Sequence, residues 1–500
     1  MKMLINGEHR DSSDLKTIAI FNPVNNQFVD SVPAATSTDV DFALECANSG
    51  QKKWAAIPLK DKKKIFDRFI YSLEENKYKI IETHMRESGF SIRNCLFQFQ
   101  GIADLFEGYL ESAKRLNGTI LVPGTEQGHD GRTENDLQMV VHEPLGIVLA
   151  IIPFNAPMML FSYKVASALS VGNAVIVKPP STNPLAVIML TELLWEAGVP
   201  GDALQVITGQ GAIVGDYLVN DPRINAVSLT GSTTVGINIA TTMAKRLSPF
   251  MLELGGNDPY IVMPDVNVEK AAREGIRWRM NSAGQVCISP KRFIVHNSVI
   301  QEFTDIALDI ARDIELGFDV DAGEEISKYI GHEFSDFKPG SMKMNPLITE
   351  KAALDVEEQV NHTIQQGAKL LYGGHRHGAF FEPTIIGGVT KEMDIAKDLE
   401  IFGPVAPIIG FDTVEEAIEI ANSSIFGLSG CVLTNDWKLG MNVAQKIESG
   451  TVVVNGVGMY RNMMQPFGGY KMSGVGQEGF TAIEEMTKKK TIILKDFLKN

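Results

Sequence analysis

Short apolar runs alternate with amphipathic stretches through the middle of the chain, from Leu145 to Met263. Each run is continuously apolar or broken by one polar residue, whereas a strand exposed on one face would alternate apolar and polar positions. The stretches between them, such as Leu185–Glu196, have the spacing of a helix with one apolar face. The pattern therefore predicts parallel strands that are buried on both faces and separated by helices. The predicted strands are Ile147–Ile152, Ala174–Val177, Leu204–Ile207, Ala226–Leu229 and Met251–Leu254.

A second alternation of the same kind follows in the C-terminal half, with helices predicted near Val268–Asn281 and Val299–Ile314. Two stretches depart from this rhythm. Gly118–His142 is typical of two strands around a Gly-rich turn, and Thr491–Lys495 is typical of a final strand. The chain is thus predicted to hold two α/β units and a smaller antiparallel part. The strands predicted in the second unit are Phe293–Val295, Lys369–Tyr372, Ala406–Phe411, Gly430–Leu433 and Thr451–Val454.

Composition narrows the class of protein. The 500 residues are 44% hydrophobic and 21% charged, as expected of a globular chain with room for large cores. A net charge of −15 argues against nucleic-acid binding, because a phosphate backbone would repel such a surface. The longest apolar run, Ile147–Phe154, is far shorter than the ~20 residues of a membrane span, and Met1 to Arg10 lacks the apolar core of a signal peptide. We therefore expect no membrane partner and a cytoplasmic location.

The cysteines and histidines do not form a metal or disulfide pattern. Cys46, Cys95, Cys287 and Cys431 are scattered without C-x-x-C spacing, which fits a reducing compartment. The nine histidines show no metal-ligand spacing. We predict no metal site.

The candidate chemistry centres on Gly284-Gln285-Val286-Cys287, a thiol beyond a glycine-led turn, and on Glu253, which lies 34 positions earlier. A thiol nucleophile and a separate base are the groups needed to make a thioester and then hydrolyse it. Taken alone, each has an ordinary alternative. An unpaired cysteine is usually a small buried apolar residue, and a glutamate usually belongs to a surface ion pair.

Further motifs flank this pair, and together they favour a catalytic role for Cys287 and Glu253 over these ordinary alternatives. In this order, the set resembles the NAD(P)-dependent aldehyde dehydrogenase superfamily, over nearly the whole chain from Leu4 to Lys495. The motifs are Pro153-Phe154-Asn155-Ala156-Pro157, Lys178-Pro179, Leu229-Thr230-Gly231-Ser232, Glu253-Leu254-Gly255-Gly256, Gly284-Gln285-Val286-Cys287, Glu400-Ile401-Phe402-Gly403-Pro404-Val405 and Pro466-Phe467-Gly468-Gly469-Tyr470-Lys471.

The resemblance implies an α/β fold with two doubly wound parallel-sheet domains and a small antiparallel oligomerisation flap. The Rossmann-like NAD(P)-binding domain is expected at residues 1–117 and 143–253, and the catalytic thiol domain at 254–454. The flap is expected at 118–142 and 470–500. Apolar strand edges in a flap need a partner, so we expect a homodimer or a homotetramer.

The resemblance also implies oxidation of an aldehyde to the carboxylic acid through a covalent thiohemiacetal and thioester on Cys287. The amide of Asn155 and the backbone N–H of Cys287 would stabilise the oxyanion, although Asn155 could equally serve only its Pro-flanked turn. Glu253 would activate the hydrolytic water. Family members that pass the acyl group to coenzyme A typically lack this carboxylate, so acyl-CoA formation is the disfavoured alternative. A catalytically inactive binding or structural member would have little reason to keep all three residues.

For the cofactor, the turn at Gly231 and Ser232 opens a predicted helix and would face a phosphate, although such a turn is more often only a helix cap. Lys178 matches the lysine that holds the adenine ribose. Ser181 stands where a glutamate often bonds the 2′-hydroxyl, so NADP should be accepted, and a preference for NADP over NAD stays open. The remaining residues that the resemblance assigns to the cofactor are Pro153, Phe154, Leu254, Glu400 and Phe402.

The substrate pocket implied by the family positions is mostly apolar and aromatic. Its exception is Arg461, for which a surface position is equally compatible with the sequence. The motifs look closest to those of lactaldehyde, glycolaldehyde and glyceraldehyde-phosphate dehydrogenases, and Val286 replaces an arginine of some phosphate-binding members. We predict a short aldehyde that carries hydroxyl or carboxylate oxygen. The pocket candidates are Phe106, Tyr109, Phe154, Met158, Tyr163, Val286, Ile288, Tyr460, Arg461 and Phe467.

Overall fold

The computed structural model describes residues 1–124, 133–318 and 343–499. A mostly parallel sheet organises the first half of the chain. Its central strands are parallel, while the first two strands of the chain and the late strand Gly474–Val475 are added antiparallel at its edges. In spatial order the strands are Glu8–Arg10, Met3–Ile5, Leu204–Val206, Ala174–Lys178, Ile147–Ile151, Ala226–Thr230, Phe250–Glu253 and Gly474–Val475.

A second sheet organises the other half, and among its described strands the edge strand Lys369–Tyr372 runs antiparallel to its neighbour while the others are parallel. The two sheets follow each other closely in the chain, because Phe250–Glu253 of the first sheet leads through five residues into Pro259–Val262 of the second. Glu253 therefore lies at the junction of the two units. The second sheet has the order Lys369–Tyr372, Thr384–Val389, Val405–Phe411, Arg292–His296, Pro259–Val262, Ser429–Leu433 and Thr451–Val454.

A third, antiparallel sheet pairs Thr119–Leu121 and Thr487–Leu494 with the two sides of Leu137–Pro144. Part of the predicted Gly-rich turn, residues 125–132, lies outside the described residues. The segment predicted as the second part of the flap, 470–500, divides between sheets, because Gly474–Val475 pairs with Phe250–Glu253. We retain the domain division as a proposal, with the flap strand limited to 487–494.

The helices cover the sheets. In the first unit two apolar clusters pack against the sheet, and one of them includes Trp54, whose indole Nε1 donates a hydrogen bond to the carbonyl of Leu169 at 2.7 Å. The helices are Ser37–Ala55, Leu59–Glu75, Lys77–Ser88, Ile92–Arg115, Pro157–Ser170, Leu185–Ala197, Asp216–Asn220, Thr233–Ala244, Val268–Met280, Ile300–Asp313, Glu350–Gln365, Val414–Asn422 and Trp437–Lys446. Among the residues that the structure describes, each helix is too short or too polar to cross a bilayer.

The predicted α/β class, with two mainly parallel sheets and a small antiparallel sheet, is confirmed. The sequence pattern did not reveal Pro259–Val262 or Thr384–Val389. The first begins with proline, and the second contains Gly387-Gly388 and a register shift, so neither shows a long uninterrupted apolar run.

Candidate active site

Cys287 follows a backbone turn that only a tightly packed environment can hold. After the helix Val268–Met280, Ser282, Ala283 and Gly284 have φ values of 55°, 54° and 74°. The left-handed region is costly for residues with a Cβ, by roughly 1–2 kcal/mol each. Gly284 meets a further constraint, because a Cβ there would lie 2.1 Å from the carbonyl oxygen of Gly403. The turn that precedes the thiol is therefore pressed against the segment that contains Glu400 and Phe402.

Arg279 links the thiol loop to the segment that contains Glu400 and Phe402 through hydrogen bonds. Its guanidinium is buried and donates to the carbonyls of Ile401 (2.6 Å), Gly403 (2.6 Å) and Val405 (2.7 Å). It also donates to the hydroxyl of Ser289 at 2.8 Å, two residues beyond the thiol. Burial lowers the pKa of Arg279 to about 10, so the group stays charged at neutral pH and its bonds are charge-assisted.

The thiol lies in a small apolar cluster formed by Ile288, Leu428 and Phe467. Burial raises the pKa of Cys287 to about 11, the positive charge of Lys291 opposes this rise, and the carboxylates of Asp258 and Glu253 add to it. A thiol in this setting is neutral at physiological pH. It needs a proton acceptor, or added positive charge, to become a nucleophile.

Asn155 is brought to the thiol loop, as the sequence predicts. Its side-chain amide donates to the carbonyl of Gln285 at 3.2 Å, two residues before the thiol. The backbone N–H of Cys287 has no acceptor among the described residues. The geometry thus leaves one backbone donor open next to the side-chain amide of Asn155.

Glu253 is buried, and its Oε2 has no hydrogen-bond partner in the part of the chain that the structure describes. Burial, and then the neighbouring carboxylate of Glu478, raise the pKa of Glu253 well above its usual range, against the charges of Lys164 and Arg461. A raised pKa means that the carboxyl group serves as a base more fully as the pH rises.

Lys164 and Glu478 are residues that the sequence analysis missed. The Lys164 ammonium donates to Glu478 at 2.7 Å and to the Ser228 hydroxyl at 3.2 Å, in a buried cluster. One signal was available for Lys164, since it is the only charged residue in the otherwise apolar helix Pro157–Ser170. For Glu478, in the glycine-rich segment near the C-terminus, no local pattern marks burial.

Lys178 and Ser181 form a polar pair at the end of the strand Ala174–Lys178. The Lys178 ammonium donates to the Ser181 hydroxyl at 3.1 Å, and that hydroxyl donates to the Gly209 carbonyl at 2.9 Å. Burial lowers the pKa of Lys178 to about 8. An anionic ligand bound here would therefore stabilise the protonated form of Lys178, which burial disfavours.

The predicted phosphate turn needs a correction. The N–H of Gly231 donates to the carbonyl of Glu253 at 3.0 Å, so it is not available to a phosphate. Ser232 caps the helix Thr233–Ala244, accepting from the Val235 N–H at 3.5 Å. The donors left for an anion are the N–H groups of the first helical turn, beginning at Thr233.

The other predicted cofactor residues make local packing contacts. The rings of Phe154 and Phe402 meet edge-to-face at 6.0 Å, and Pro153 lies beside them as a half-buried residue. Glu400 packs over Gly255, where an added Cβ would lie 2.3 Å from its Oε2. Leu254 packs over Gly236, at the start of the capped helix.

Arg461 belongs to the site and not to the surface. Its guanidinium stacks on the rings of Tyr163 at 4.3 Å and Phe467 at 3.9 Å. One of its nitrogens lies 3.7 Å from Glu478, while Nε and Nη2 are buried without a hydrogen-bond partner among the described residues. A buried cation with unused donors is typical of a position that receives a polar ligand.

The other pocket candidates differ in how far they are buried and in what they contact. Tyr109 and Tyr163 are buried neighbours, with ring centroids 6.3 Å apart. Met158 is fully buried and Tyr460 is exposed. Phe106 was predicted to bind substrate, but its ring packs against Phe66 and Phe69 at 5.0 and 4.8 Å in the core of the first unit. Its side chain is fully buried in this core, and its assignment to the substrate pocket stays a prediction.

Comparison with known proteins agrees with this geometry. The sequence model of the aldehyde dehydrogenase family matches residues 9–492. A 3-sulfolactaldehyde dehydrogenase of Priestia aryabhattai is 33% identical over 493 residues, which cover 98% of this chain and 97% of that protein. A D-glyceraldehyde dehydrogenase (NADP(+)) of Picrophilus torridus is 31% identical over 501 residues, or 98% and 96% of the two chains.

A solved structure shares the fold. The NADP-dependent glyceraldehyde-3-phosphate dehydrogenase of Bacillus halodurans, crystallised with NADP, superposes with a TM-score of 0.89 at 32% identity, covering 99% of this chain and 98% of that one. With the family model spanning nearly the whole chain, this protein belongs to the aldehyde dehydrogenase family.

Proposed function

We propose that this enzyme oxidises a short aldehyde bearing hydroxyl or carboxylate oxygen to the carboxylic acid, with NAD or NADP, through a thioester on Cys287. The observation that carries the proposal is the pairing of the half-buried thiol of Cys287 with a buried, unsatisfied carboxylate, Glu253, within electrostatic range of it. Neither group gains stability from this burial, so a catalytic use accounts for both.

In the first step the sulfur of Cys287 attacks the carbonyl carbon, the thiol proton is released, and the electron pair of the C=O π bond moves to the oxygen. The developing negative charge on that oxygen is stabilised by donors already in place, the amide of Asn155 and the backbone N–H of Cys287. Loss of one such donor typically lowers the rate by roughly 10²–10³.

NAD or NADP supplies the hydride acceptor when it is bound. The residues present fit such a group: Lys178 and Ser181 for the adenine ribose, Glu400 for the second ribose, and Phe402 beside the nicotinamide. Ser181 stands where many relatives of this family have a carboxylate. A 2′-phosphate of NADP would therefore contact the ammonium of Lys178 and the hydroxyl of Ser181, and neither group would repel it. We propose that NADP is used at least as well as NAD.

Glu253 completes the cycle by taking a proton from the water that attacks the thioester carbon, after which the C–S bond breaks and the thiol is restored. The carboxyl group must first lose its own proton. The raised pKa of Glu253 therefore makes hydrolysis slower at low pH and faster as the pH rises.

The substrate class follows from Arg461. Its Nε and Nη2 are buried without a hydrogen-bond partner among the described residues, and its guanidinium lies on the rings of Tyr163 and Phe467. A short aldehyde with an oxygen two or three bonds from the reacting carbon would satisfy these donors. The relatives named for glyceraldehyde and sulfolactaldehyde support the same class.

The third sheet supports a homodimer or homotetramer. Ile120 is 67% exposed and Ile493 is 55% exposed on its strands, next to the exposed Phe497. Apolar strands open to solvent on a folded chain usually contact another subunit. The four unpaired thiols fit a reducing compartment such as the cytoplasm.

The decisive experiment mixes the purified enzyme with a panel of short aldehydes and each cofactor, follows NAD(P)H absorbance and identifies the acid. Glu253→Gln should form the thioester and then stall, so that mass spectrometry finds an acyl adduct on Cys287. Release of acyl-CoA only when coenzyme A is added would favour the acylating alternative. Continued turnover with no adduct on that cysteine would refute the proposal.

A further inference from the structure

Lys291 is a buried lysine that links the thiol to the predicted cofactor carboxylate. Its ammonium donates a hydrogen bond to the carbonyl oxygen of Cys287 and lies 3.2 Å from Oε1 of Glu400. Only 2% of the residue is exposed. Its backbone is fixed as well, because its N–H donates to the carbonyl of Asp258 at 3.0 Å, just before the strand Arg292–His296 begins.

Burial of an ammonium group costs several kcal/mol unless partners compensate for the lost water. The ion pair with Glu400 supplies one partner and the Cys287 carbonyl supplies another. Asp258 supplies further compensation: burial raises its pKa to about 7, and Lys291 is the main opposing influence. The lysine is therefore held by three groups from three segments of the chain.

The positive charge of Lys291 lies close enough to Cys287 to favour its thiolate. The groups that face Cys287 are Lys291 and Arg461, which favour the thiolate, and Asp258 and Glu253, which oppose it. Of the two cations, Lys291 has the larger influence. Arg461 is occupied by its stacking on two aromatic rings and by Glu478.

We propose that Lys291 is a positioning residue, which orients the thiol loop through the Cys287 carbonyl, supports the thiolate and holds Glu400 ready for the cofactor. The same ammonium group contacts the Cys287 carbonyl and the Glu400 carboxylate, so the positions of the thiol loop and of this carboxylate are coupled. The cofactor half of this inference rests on the proposed function. The thiol half does not, because it can be measured without turnover.

The test compares Lys291→Met, Lys291→Arg and the wild type by the pH dependence of iodoacetamide alkylation, with the peptide containing Cys287 quantified by mass spectrometry. The cofactor is left out. We expect the methionine variant to react about tenfold more slowly near pH 8, which is one pKa unit upward, and the arginine variant to recover most of the rate. Lys351→Met, which removes an exposed lysine paired with Asp355, is the matched control and should alkylate as the wild type does.

Steady-state kinetics then test the cofactor half. Lys291→Met should raise KM for the cofactor together with a fall in kcat, while the control Lys351→Met should leave both constants at their wild-type values. An unchanged alkylation profile in Lys291→Met would overturn the inference, even if the wild-type enzyme oxidises aldehydes. A wild-type enzyme without aldehyde turnover, but with the expected alkylation shift, would overturn the proposed function and keep the thiol half of the inference. If Lys291→Met loses its native circular dichroism, Lys291→Gln replaces it, and failure of both to fold while Lys291→Arg alkylates normally would assign the lysine to stability alone.

Discussion

Replacing Gly284 by alanine should misplace the thiol more than any loss of backbone freedom can explain. The residue has a φ of 74°, and an added Cβ would lie 2.1 Å from the carbonyl oxygen of Gly403. Gly378 provides a matched comparison, because its φ is 63° and no atom lies within 4 Å of the corresponding Cβ position. Gly378→Ala therefore measures the strain alone, and Gly284→Ala measures the strain plus the contact.

The magnitudes separate the two variants. Left-handed backbone costs a residue with a Cβ roughly 1–2 kcal/mol in either position. An ordinary contact needs roughly 3.5 Å, so at Gly284 the two segments must separate by about 1.4 Å. That movement stretches the 2.6 Å bond from Arg279 to Gly403, and a hydrogen bond to a charged group contributes about 1.5–3 kcal/mol. We expect a total of about 3–5 kcal/mol for Gly284→Ala.

The assay combines thermal melting, kcat and alkylation of Cys287. Gly284→Ala should lower the melting temperature at least twice as much as Gly378→Ala. Its kcat should fall about 100-fold, because a displacement of about 1 Å of a reacting group has that effect. Gly378→Ala should keep its kcat. Equal melting temperatures for the two variants, with kcat of Gly284→Ala within twofold of the wild type, would show that the loop accommodates a side chain and that the contact with Gly403 does not position the thiol.

Glu478→Gln removes a negative charge beside Glu253, so the pKa of Glu253 should fall and the rising limb of the pH profile for thioester hydrolysis should move to lower pH; a limb that stays or moves upward would contradict this. Ser181→Glu should lower the ratio of kcat/KM for NADP to that for NAD at least about tenfold, by repulsion of the 2′-phosphate, and an unchanged ratio would remove the residue from the cofactor site. Arg461→Met should raise KM about tenfold or more for an aldehyde bearing a carboxylate, and far less for an unsubstituted aldehyde of similar length. Ile493→Glu should shift the enzyme to a smaller species in analytical ultracentrifugation at micromolar concentration, and an unchanged mass would exclude this strand from the subunit contact.

Periodicity predicted the strands well because their information is local. The strand Ala174–Lys178 and the helix Val268–Met280 each differ from their predictions by one residue. Continuous runs of branched apolar residues fit a buried parallel strand and few other structures, so neighbours in the chain suffice. The order of motifs was likewise readable from the sequence, and it identified the thiol and its candidate base.

Long-range packing decided what local patterns could not. The ion pair of Lys164 and Glu478 joins residues 314 positions apart, and neither sequence context predicts it. The same holds for Arg461, which the sequence allowed on the surface or in the pocket, and for Phe106, whose apolar character suits a pocket or a core equally.

The sequence by itself thus determined the secondary structure and the reactive groups, since apolar spacing and residue chemistry are properties of the chain. Only the tertiary structure decided the electrostatic state of those groups. The proton affinity of Cys287 and Glu253 depends on how much water is excluded and on which charges approach from distant segments. Burial and charge proximity are produced by folding, so they cannot be read from residues that are adjacent only in sequence.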